Sequence, residues 1–437
     1  MKLVEFVPPV KHPLWKLCLQ MGITEVIVKV NPDLTGLPDP WKYETLKKIV
    51  DGLAAEGLKV VGLEGDPFDM SPIKEYVAGD DNYRAEWSEG ERSETTLHVS
   101  TCPTRLNNSA SPRLCVKNQS SDLREEALAH YRELLESMSR LGIKLLCYNF
   151  MVGTGWARTG VREGRGGAKA TYFSLRDLST GLTGLSGLSD TANNPVNLVN
   201  PVKKHNLIIS HDQVWANYEY FIKSVMPTAE KCGVRMGLHP DDPCLDSLGG
   251  YARIFGSIEA YDRAYSIYPS PSNAVTFCQA NFKLMFSDVP SQTAEPNSSA
   301  DSASSRLCVR NNPTETLCNV ARHFGKRIAF IHVRDVEGDK TDFTELFHDQ
   351  GDTDQFALMR TYRELGLDVP VRGDHVPEME GDRKLVEDAI PGYFNMGRLF
   401  ANGYLKALLK GTERWRIMDS ITLQLRERGF DRKKKQI

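Results

Sequence analysis

The sequence has no run of apolar residues long enough to cross a membrane. None of the windows in its 437 residues approaches the roughly 20 apolar residues of a transmembrane helix. The first residues also lack the apolar region of a secretory signal, so we expect no export. The nine cysteines are an odd number without CxxC spacing, which argues against a disulfide framework and predicts reduced thiols in a cytoplasmic protein.

The sequence also lacks an excess of basic residues. Lys and Arg total 54 and Asp and Glu total 57, so the formal net charge is −3. Nucleic acids and anionic membranes are bound through a cationic excess, so we expect neither as a partner. There is no Walker loop, Rossmann fingerprint or GxSxG elbow. A hydrophobic content of 41% and a charged content of 25% are ordinary for a folded globular protein.

Short β-branched runs alternate with amphipathic helical patterns along the chain. Eight runs are candidate strands, and several are almost continuously apolar, as is typical of strands buried on both faces. They are Leu3–Phe6, Glu25–Val30, Leu58–Glu64, Lys144–Phe150, Val234–His239, Ala274–Cys278, Arg327–Arg334 and Val369–Asp374. This α/β pattern predicts a (β/α)8 TIM barrel. An open doubly wound sheet stays the alternative, because periodicity alone cannot show closure.

Three segments interrupt this alternation, at about 88–120, 178–209 and 286–311. The third is rich in Ser and has no apolar period, so it cannot bury enough surface to offset its chain entropy. We therefore expect disordered or non-native inserts in a single domain. Residues 1–410 would form the barrel, and residues 411–437 a C-terminal helix and basic tail.

Four successive strands end in or near a side chain that can bind a metal. In a barrel of this kind, the carboxyl ends of the strands carry the chemistry, so these side chains would converge above the barrel axis. They are His239, Cys278, His332 and Asp374. Imidazole and thiolate suit borderline metals and the carboxylate adds negative charge, so the set would accept Zn²⁺, Fe²⁺, Co²⁺ or Mn²⁺.

Further polar residues surround these candidate ligands. His375 follows Asp374 and can exchange a proton near neutral pH. Tyr393 could act as an acid or a base, although a tyrosine there is more often packed. Arg334 lies two residues after His332, so it points the same way and could hold a carboxylate, or else form an ion pair with a neighbouring acid. Trp156 and Arg158 lie in a long glycine-rich loop that could cover an anionic ligand or remain solvated.

These residues fall in motifs that resemble the mannonate dehydratase family, along nearly the whole chain outside the three irregular segments. The motifs are Cys147-Tyr-Asn-Phe-Met, Gly155-Trp-Ala-Arg-Thr, His239-Pro-Asp-Asp-Pro, Thr276-Phe-Cys, Ile331-His-Val-Arg-Asp, Phe347-His-Asp-Gln-Gly-Asp-Thr-Asp, Asp374-His and Pro391-Gly-Tyr. The resemblance implies a TIM-barrel lyase, related to metal-dependent sugar isomerases, that converts D-mannonate to 2-keto-3-deoxy-D-gluconate and water in hexuronate breakdown.

The resemblance also implies roles for particular residues. The metal, Mn²⁺ or Fe²⁺, would be bound by His239, Cys278, His332 and Asp374, and the acid/base residues would be His375 and Tyr393, beside Asp374. From the same motifs we expect five residues to contact the substrate: Arg334, Asn149, Trp156, Arg158 and His348.

Dehydration of a sugar acid needs both a metal and an acid/base pair. Removal of the proton on C2 requires a cation that stabilises the developing charge, and the departing C3 hydroxyl must be protonated. A sugar isomerase or epimerase of the same superfamily, and an inactive sugar-acid-binding paralogue, remain alternatives. We expect a small-molecule sugar acid as the ligand and leave a homo-oligomer open.

Overall fold

A computed structural model describes residues 1–77, 119–179, 209–287, 302–309, 311–385 and 391–427. The strands of this part of the chain are β1 (Lys2–Leu3), β2 (Glu5–Val7), β3 (Glu25–Val28), β4 (Lys59–Glu64), β5 (Leu145–Tyr148), β6 (Gly160–Glu163), β7 (Lys169–Ser174), β8 (Arg235–Leu238), β9 (Ser247–Leu248), β10 (Tyr251–Ala252), β11 (Asn273–Cys278), β12 (Ile328–Val333), β13 (Val336–Asp339), β14 (Asp342–Glu345) and β15 (Pro370–Gly373).

The α-helices of the described residues alternate with these strands. They are α1 (Pro13–Gln20), α2 (Pro32–Thr35), α3 (Tyr43–Ala55), α4 (Ser71–Lys74), α5 (Gln119–Arg140), α6 (Leu175–Ser179), α7 (His211–Cys232), α8 (Ile258–Ile267), α9 (Gln279–Leu284), α10 (Ala303–Leu307), α11 (Pro313–Phe324), α12 (Gln355–Glu364), α13 (Asp382–Leu385) and α14 (Asn395–Glu427). None of these helices is both long enough and apolar enough to span a membrane.

The main sheet is a parallel barrel in which all eight predicted strands are present. Its order is β1-β15-β12-β11-β8-β5-β4-β3-β2. The first predicted strand is divided at Val4 into β1, which pairs with β15, and β2, which pairs with β3. Because a single residue separates these two pieces, the two ends of the sheet meet and close the barrel. The prediction of a (β/α)8 barrel is confirmed, and the alternative prediction of an open sheet is wrong.

The alternation of side chains along each strand divides the core into two layers. Inward-facing residues such as Ile27, Leu145 and Phe330 pack together inside the barrel. Their neighbours in sequence, such as Val28 and Leu146, face outward and pack in the larger cluster beneath the helices. A strand buried on both faces is almost continuously apolar for this reason. The same alternation decides which side chains reach the barrel mouth.

A second, antiparallel sheet was not predicted from the sequence. Its order is β13-β14-β7-β6, and its strands come from the connections that follow β5 and β12. The glycine-rich stretch after Trp156, for which a solvated loop was one expectation, forms the hairpin of β6 and β7. Gly166 and Gly167, with φ of 63° and 80°, allow the chain to reverse there.

Two helices continue through positions where a break could occur. α7 contains Pro227, which lacks the backbone donor of a helix interior, and still continues to Cys232. The last helix, α14, extends through position 410, where the sequence suggested a boundary. Within the third irregular segment, Ala303–Leu307 form α10, where Ser304 donates hydrogen bonds to Glu259. Most of the three segments lies outside the described residues, so the domain division stays a prediction.

We expect Gly237→Ala to destabilise the barrel by about 1–3 kcal/mol of unfolding free energy, because the site is overpacked. A Cβ at Gly237 would lie 2.6 Å from Thr276 Oγ1, and this hydroxyl already donates a hydrogen bond to the Gly237 carbonyl at 2.9 Å. Urea unfolding would measure the change.

The matched control is Gly52→Ala, in the middle of α3. No atom lies within 4 Å of a Cβ placed there, and alanine favours a helix over glycine by about 1 kcal/mol. The control should therefore be neutral or stabilising. Equal losses in both variants would contradict the overpacking argument.

Candidate active site

Four predicted metal ligands meet at the carboxyl end of the barrel. They come from adjacent strands: Cys278 ends β11, His332 lies in β12 opposite it, and His239 and Asp374 follow β8 and β15 directly. Their ligand atoms all lie within 4.8 Å of one another. The parallel order of the strands brings together residues that are up to 135 positions apart in sequence, counting from His239 to Asp374.

The hydrogen bonding of the two histidines suits a metal. His239 Nδ1 lies 2.7 Å from the Pro240 carbonyl, which can only accept, so Nδ1 carries the proton and Nε2 keeps a lone pair. His332 is completely buried, and neither of its ring nitrogens has a hydrogen-bond partner among the described residues. The acids Glu64 and Asp374 each lie 3.7 Å from one of these nitrogens, too far for a hydrogen bond, so the buried imidazole fits a cation.

The charge on Asp374 is supported by an arginine that the sequence did not single out. Burial alone would raise the pKa of Asp374, but Arg372, 3.0 Å from its Oδ1, lowers that pKa well below the usual range. Arg372 also donates hydrogen bonds to both oxygens of Glu64. Burial alone would raise the pKa of Glu64, but Arg372 lowers it to about 2. Both carboxylates are therefore ionised, and the cluster favours a cation.

Two further residues lie near His332 but suit a metal less well. Glu64 and Cys147 are also within reach of its ring. Both oxygens of Glu64 already accept from Arg372, however, and burial raises the pKa of the Cys147 thiol well above its usual range. Neutral thiols are poor metal ligands. The residues present therefore fit a cation best in the four-ligand set.

His375 and Tyr393 form a hydrogen-bonded pair beside this cluster. His375 Nε2 lies 3.2 Å from the Tyr393 hydroxyl, and that hydroxyl lies 3.5 Å from Asp374 Oδ1. Burial, together with Asp374, raises the pKa of Tyr393 well above its usual range. The Trp156 ring packs against His375, with their centroids 4.7 Å apart. The two predicted acid/base residues are thus adjacent to each other and to the predicted metal ligand Asp374.

A carboxylate that was not predicted orients His375. Glu345 Oε1 lies 3.1 Å from His375 Nδ1, and although burial opposes its ionisation, Arg334 and Arg158 lower its pKa to about 2. Arg158 Nη2, which can only donate, also lies 3.1 Å from Nδ1, so this nitrogen stands between a donor and an acceptor, and the two contacts hold the ring with Nε2 toward Tyr393. Glu345 lies in β14, in the second sheet, and no sequence motif marks it.

Arg334 and Arg158 are fully engaged in this buried ion-pair network. Arg334 bonds Asp242 at 2.9 Å and Glu345 at 2.6 Å, and Arg158 bonds the same two acids at 2.8 and 2.7 Å. Both side chains are almost completely buried, and neither is among the described residues that line the cavity. The geometry favours ion pairing for Arg334, one of the two roles considered, over direct contact with a substrate.

His348 is buried behind the site. Its Nε2 lies 2.8 Å from the Val333 carbonyl and so carries the proton, and burial lowers its pKa to about 4. It is not among the described residues that line the cavity. Its expected contact with a substrate therefore stays a prediction that the geometry does not favour.

A cavity of about 760 Å³ opens above the cluster. Six of the predicted site residues line it, namely Asn149, Trp156, His239, Asp374, His375 and Tyr393. Residues that the sequence reasoning missed line it as well, including Lys29, Asp242, Asn395 and Arg398. Of these, Asp242 stands in the His239-Pro-Asp-Asp motif, which could have indicated it. The cavity is large enough for a small polar ligand.

Comparisons with known proteins agree with this description. A family model described as D-mannonate dehydratase (UxuA) matches residues 115–306 and 302–419. A mannonate dehydratase of Streptococcus equi subsp. zooepidemicus is 27% identical over 300 residues, covering 67% of this chain and 74% of that protein. One of Thermotoga petrophila is 25% identical over 309 residues, covering 67% and 76%.

The fold is similar to that of a solved structure. The crystal structure of a mannonate dehydratase from Streptococcus suis serotype 2 superposes with a TM-score of 0.66 at 21% identity, covering 95% of this chain and 96% of that one. At this identity the likeness supports the barrel fold.

We expect His348→Gln to reduce the loss of stability in mild acid. The unfolded chain protonates this imidazole near pH 6.5, whereas the folded protein does so only near 4. Between these values the folded state binds fewer protons, so the stability of the wild type falls as the pH drops from about 6.5 toward 4. Glutamine keeps a donor for Val333 and does not titrate.

The test is urea unfolding of both proteins at about pH 7.5 and about pH 5. The variant should lose about 2 kcal/mol less than the wild type over this interval. Equal losses would show that His348 is not held neutral in the folded protein.

Proposed function

Because the chain belongs to the D-mannonate dehydratase family, we propose that it dehydrates D-mannonate to 2-keto-3-deoxy-D-gluconate as a hydro-lyase of hexuronate breakdown. The observation that supports this proposal is that the four-ligand cluster and the His375–Tyr393 pair lie side by side at one end of a cavity. Dehydration of a sugar acid needs a cation and a proton-transfer pair in the same place.

The proposed metal ligands are His239, Cys278, His332 and Asp374. A divalent cation bound there would withdraw electron density from the carboxylate of the substrate and so make the proton on C2 more acidic. The ionised state of Asp374 and the free lone pair on His239 Nε2 support this assignment. The mixture of thiolate, imidazole and carboxylate suits Fe²⁺ or Mn²⁺, and we propose these metals from the family resemblance.

The proton transfers are assigned to His375 and Tyr393. Glu345 and Arg158 both contact His375 Nδ1, each at 3.1 Å, and so hold the ring with Nε2 toward the Tyr393 hydroxyl. One member of the pair removes the proton from C2, and the other protonates the C3 hydroxyl as it leaves. Their hydrogen bond allows the two side chains to exchange protons between turnovers.

Substrate contacts are proposed for residues that line the cavity. Asn149 and Trp156 keep this role from the sequence analysis. Trp156 packs on His375 and also restricts where the substrate carbon chain can lie. Arg158 and Arg334 are assigned an indirect role, because they hold Glu345 in place and keep it ionised.

The cellular setting is proposed from chemistry. The ligand is a small sugar acid, and the seven cysteines within the described residues are all free, which supports a reducing compartment such as the cytoplasm. A homo-oligomer is compatible with this proposal and is tested by light scattering of the purified protein.

We expect the purified protein, incubated with Mn²⁺ or Fe²⁺ and D-mannonate, to form a 2-keto-3-deoxy acid. The product should be lighter than the substrate by one water, as measured by mass spectrometry, and a chelator should abolish its formation. An isomerase or epimerase would instead give a product of unchanged mass. Binding of D-mannonate without any product would indicate a sugar-acid-binding protein.

We expect two substitutions to separate metal binding from proton transfer. Cys278→Ser should lower metal affinity at least tenfold, because even changes to groups that only support a ligand cost about 10- to 100-fold. His375→Asn should keep the metal and lower turnover by about 10²- to 10⁴-fold.

Metal content is measured by atomic emission spectroscopy and turnover by the product assay. Cys232→Ser is the control for the cysteine change, because Cys232 lies at the end of α7 and is not among the residues lining the cavity. Near wild-type turnover of His375→Asn would contradict the proton-transfer assignment.

A further inference from the structure

Asn149, a proposed substrate contact, lies beside the candidate metal cluster. It directly follows β5, which pairs in parallel with β8 so that Tyr148 stands opposite Leu238. The next residues along these two strands are Asn149 and His239, and the His239 N–H donates to the Tyr148 carbonyl at 2.7 Å. Residues that stand opposite each other on neighbouring strands point to the same side of the sheet. Asn149 therefore lines the cavity at the end where the proposed ligand His239 lies.

The amide oxygen of Asn149 has no capacity left for a ligand. It accepts from Lys74 Nζ and from the Met151 backbone N–H, each at 3.1 Å. Both partners can only donate, so the oxygen of the amide and not its nitrogen faces them, and the two bonds use both of its lone pairs. No described residue accepts a hydrogen bond from Asn149 Nδ2. The amide thus offers the cavity donors and no acceptor.

Lys74 has no donor left for a ligand either. Its Nζ donates to the two oxygens of Asp66 at 2.8 and 2.7 Å and to Asn149, and these bonds use its three N–H groups. The side chain is 4% exposed, so the ammonium group is shielded from water although Lys74 lines the cavity. The lysine also neutralises the Asp66 carboxylate, which would otherwise repel an acidic substrate. Lys74 therefore affects the cavity through its two partners.

The short helix α4, which ends at Lys74, is fixed on two sides. Glu75, the next residue, accepts from the Gly153 N–H at 2.9 Å, in the connection that follows β5. Asn217 in α7 donates from its Nδ2 to the Lys74 carbonyl at 3.0 Å. Because the backbone and the side chain of Lys74 are both held, the lysine can keep the amide of Asn149 in one orientation.

An amide that only donates favours a particular partner. A sugar hydroxyl both donates and accepts, whereas a carboxylate only accepts and forms the stronger, charge-assisted hydrogen bond. The carboxylate is also the group of the sugar acid that is assigned to the metal end of the cavity, where Asn149 lies. If the amide turned over, its oxygen would face this carboxylate and repel it.

We propose that Lys74 is a positioning residue, which holds Asn149 as a donor for the carboxylate of the sugar acid. Lys74 does not contact the substrate. It prevents the amide from turning over and keeps the charge of Asp66 neutralised. The inference rests on the proposed function, because the sugar acid and the position of its carboxylate are assigned there.

The test replaces both members of the buried pair, as Asp66→Asn with Lys74→Met. A single change at Lys74 would leave Asp66 as an unpaired anion in the cavity, whereas the pair substitution keeps the net charge constant. We expect binding of D-mannonate to weaken about three- to tenfold, up to the value of one charge-assisted hydrogen bond. Calorimetry with Mn²⁺ present, in the His375→Asn variant, measures the dissociation constant without turnover.

A second pair substitution, Asp39→Asn with Lys42→Met, is the matched control. Asp39 and Lys42 also form an ion pair, at 2.8 Å, and neither is among the residues that line the cavity. The same chemical changes should therefore leave the affinity for D-mannonate unaltered. An equal loss of affinity in the control would overturn the positioning role.

Combination with Asn149→Ala separates positioning from direct contact. Asn149→Ala alone should weaken binding about tenfold, as expected for one charge-assisted hydrogen bond. In that background the Asp66/Lys74 substitution should weaken binding by less than about twofold, because the lysine has no amide left to hold. A further loss as large as in the presence of Asn149 would show that the pair acts on the substrate in another way, and it would overturn the proposal.

Asn149→Asp tests the donor role with Lys74 left in place. The carboxylate keeps two acceptor sites for Lys74 and the Met151 N–H, but its other oxygen replaces the amide donor. Two carboxylates then face each other, so D-mannonate should bind more weakly than it does to Asn149→Ala. Binding as tight as with asparagine would contradict the donor role, and this result does not depend on how well the pair variant folds.

Product formation by the wild type separates this inference from the proposed function. Turnover of D-mannonate together with unchanged affinity in the Asp66/Lys74 variant would keep the reaction and overturn the positioning role. The expected pattern of affinities without any turnover would overturn the reaction and keep the positioning role. Absence of both turnover and binding would overturn both.

Discussion

Glu345 accepts hydrogen bonds from Arg158 and Arg334 and faces His375 Nδ1 with the same oxygen. It lies on β14, in the antiparallel sheet, whereas His375 and Arg334 follow barrel strands. One carboxylate therefore fixes the second sheet to the barrel mouth and holds the ring of a histidine in place. Removing one member of a buried pair of this kind typically costs about 3–5 kcal/mol, so the site and the stability of the fold depend on the same contact.

This arrangement explains why several strongly ionic residues near the cavity are not available to a ligand. Arginines that are completely buried must be neutralised, and the acids that neutralise them set the local charge. Arg372 acts in this way for Glu64 and Asp374, and Arg334 and Arg158 for Glu345 and Asp242. His332 is informative for that reason: neither of its ring nitrogens has a hydrogen bond among the described residues, and the acids Glu64 and Asp374 each lie 3.7 Å from one of them.

The sequence was a good guide wherever the signal is local. Eight apolar runs marked the barrel strands, and His239, Cys278, His332 and Asp374 could be recognised because parallel strands bring their carboxyl ends together. It was a poor guide to long-range pairing. Nothing near Glu345 indicates that it meets His375, and the hairpin of β6 and β7 depends on β14, about 170 residues away, for its partner. The direction of a side chain along its strand was also a poor guide to its role. Arg334 was expected to reach a substrate, but its guanidinium forms ion pairs with Asp242 and Glu345, which come from other segments.

The division of the first strand at Val4 has a consequence for how the molecule is made. β1 pairs with β15, so Lys2 finds its partner in Pro370. During synthesis the ribosome must add more than 360 residues before this pairing exists, and until then the barrel has two open edges. Contacts of such long sequence separation form late and slowly. The proposed metal ligand Asp374 directly follows β15, so the nascent chain cannot assemble the four-ligand cluster until its barrel can close.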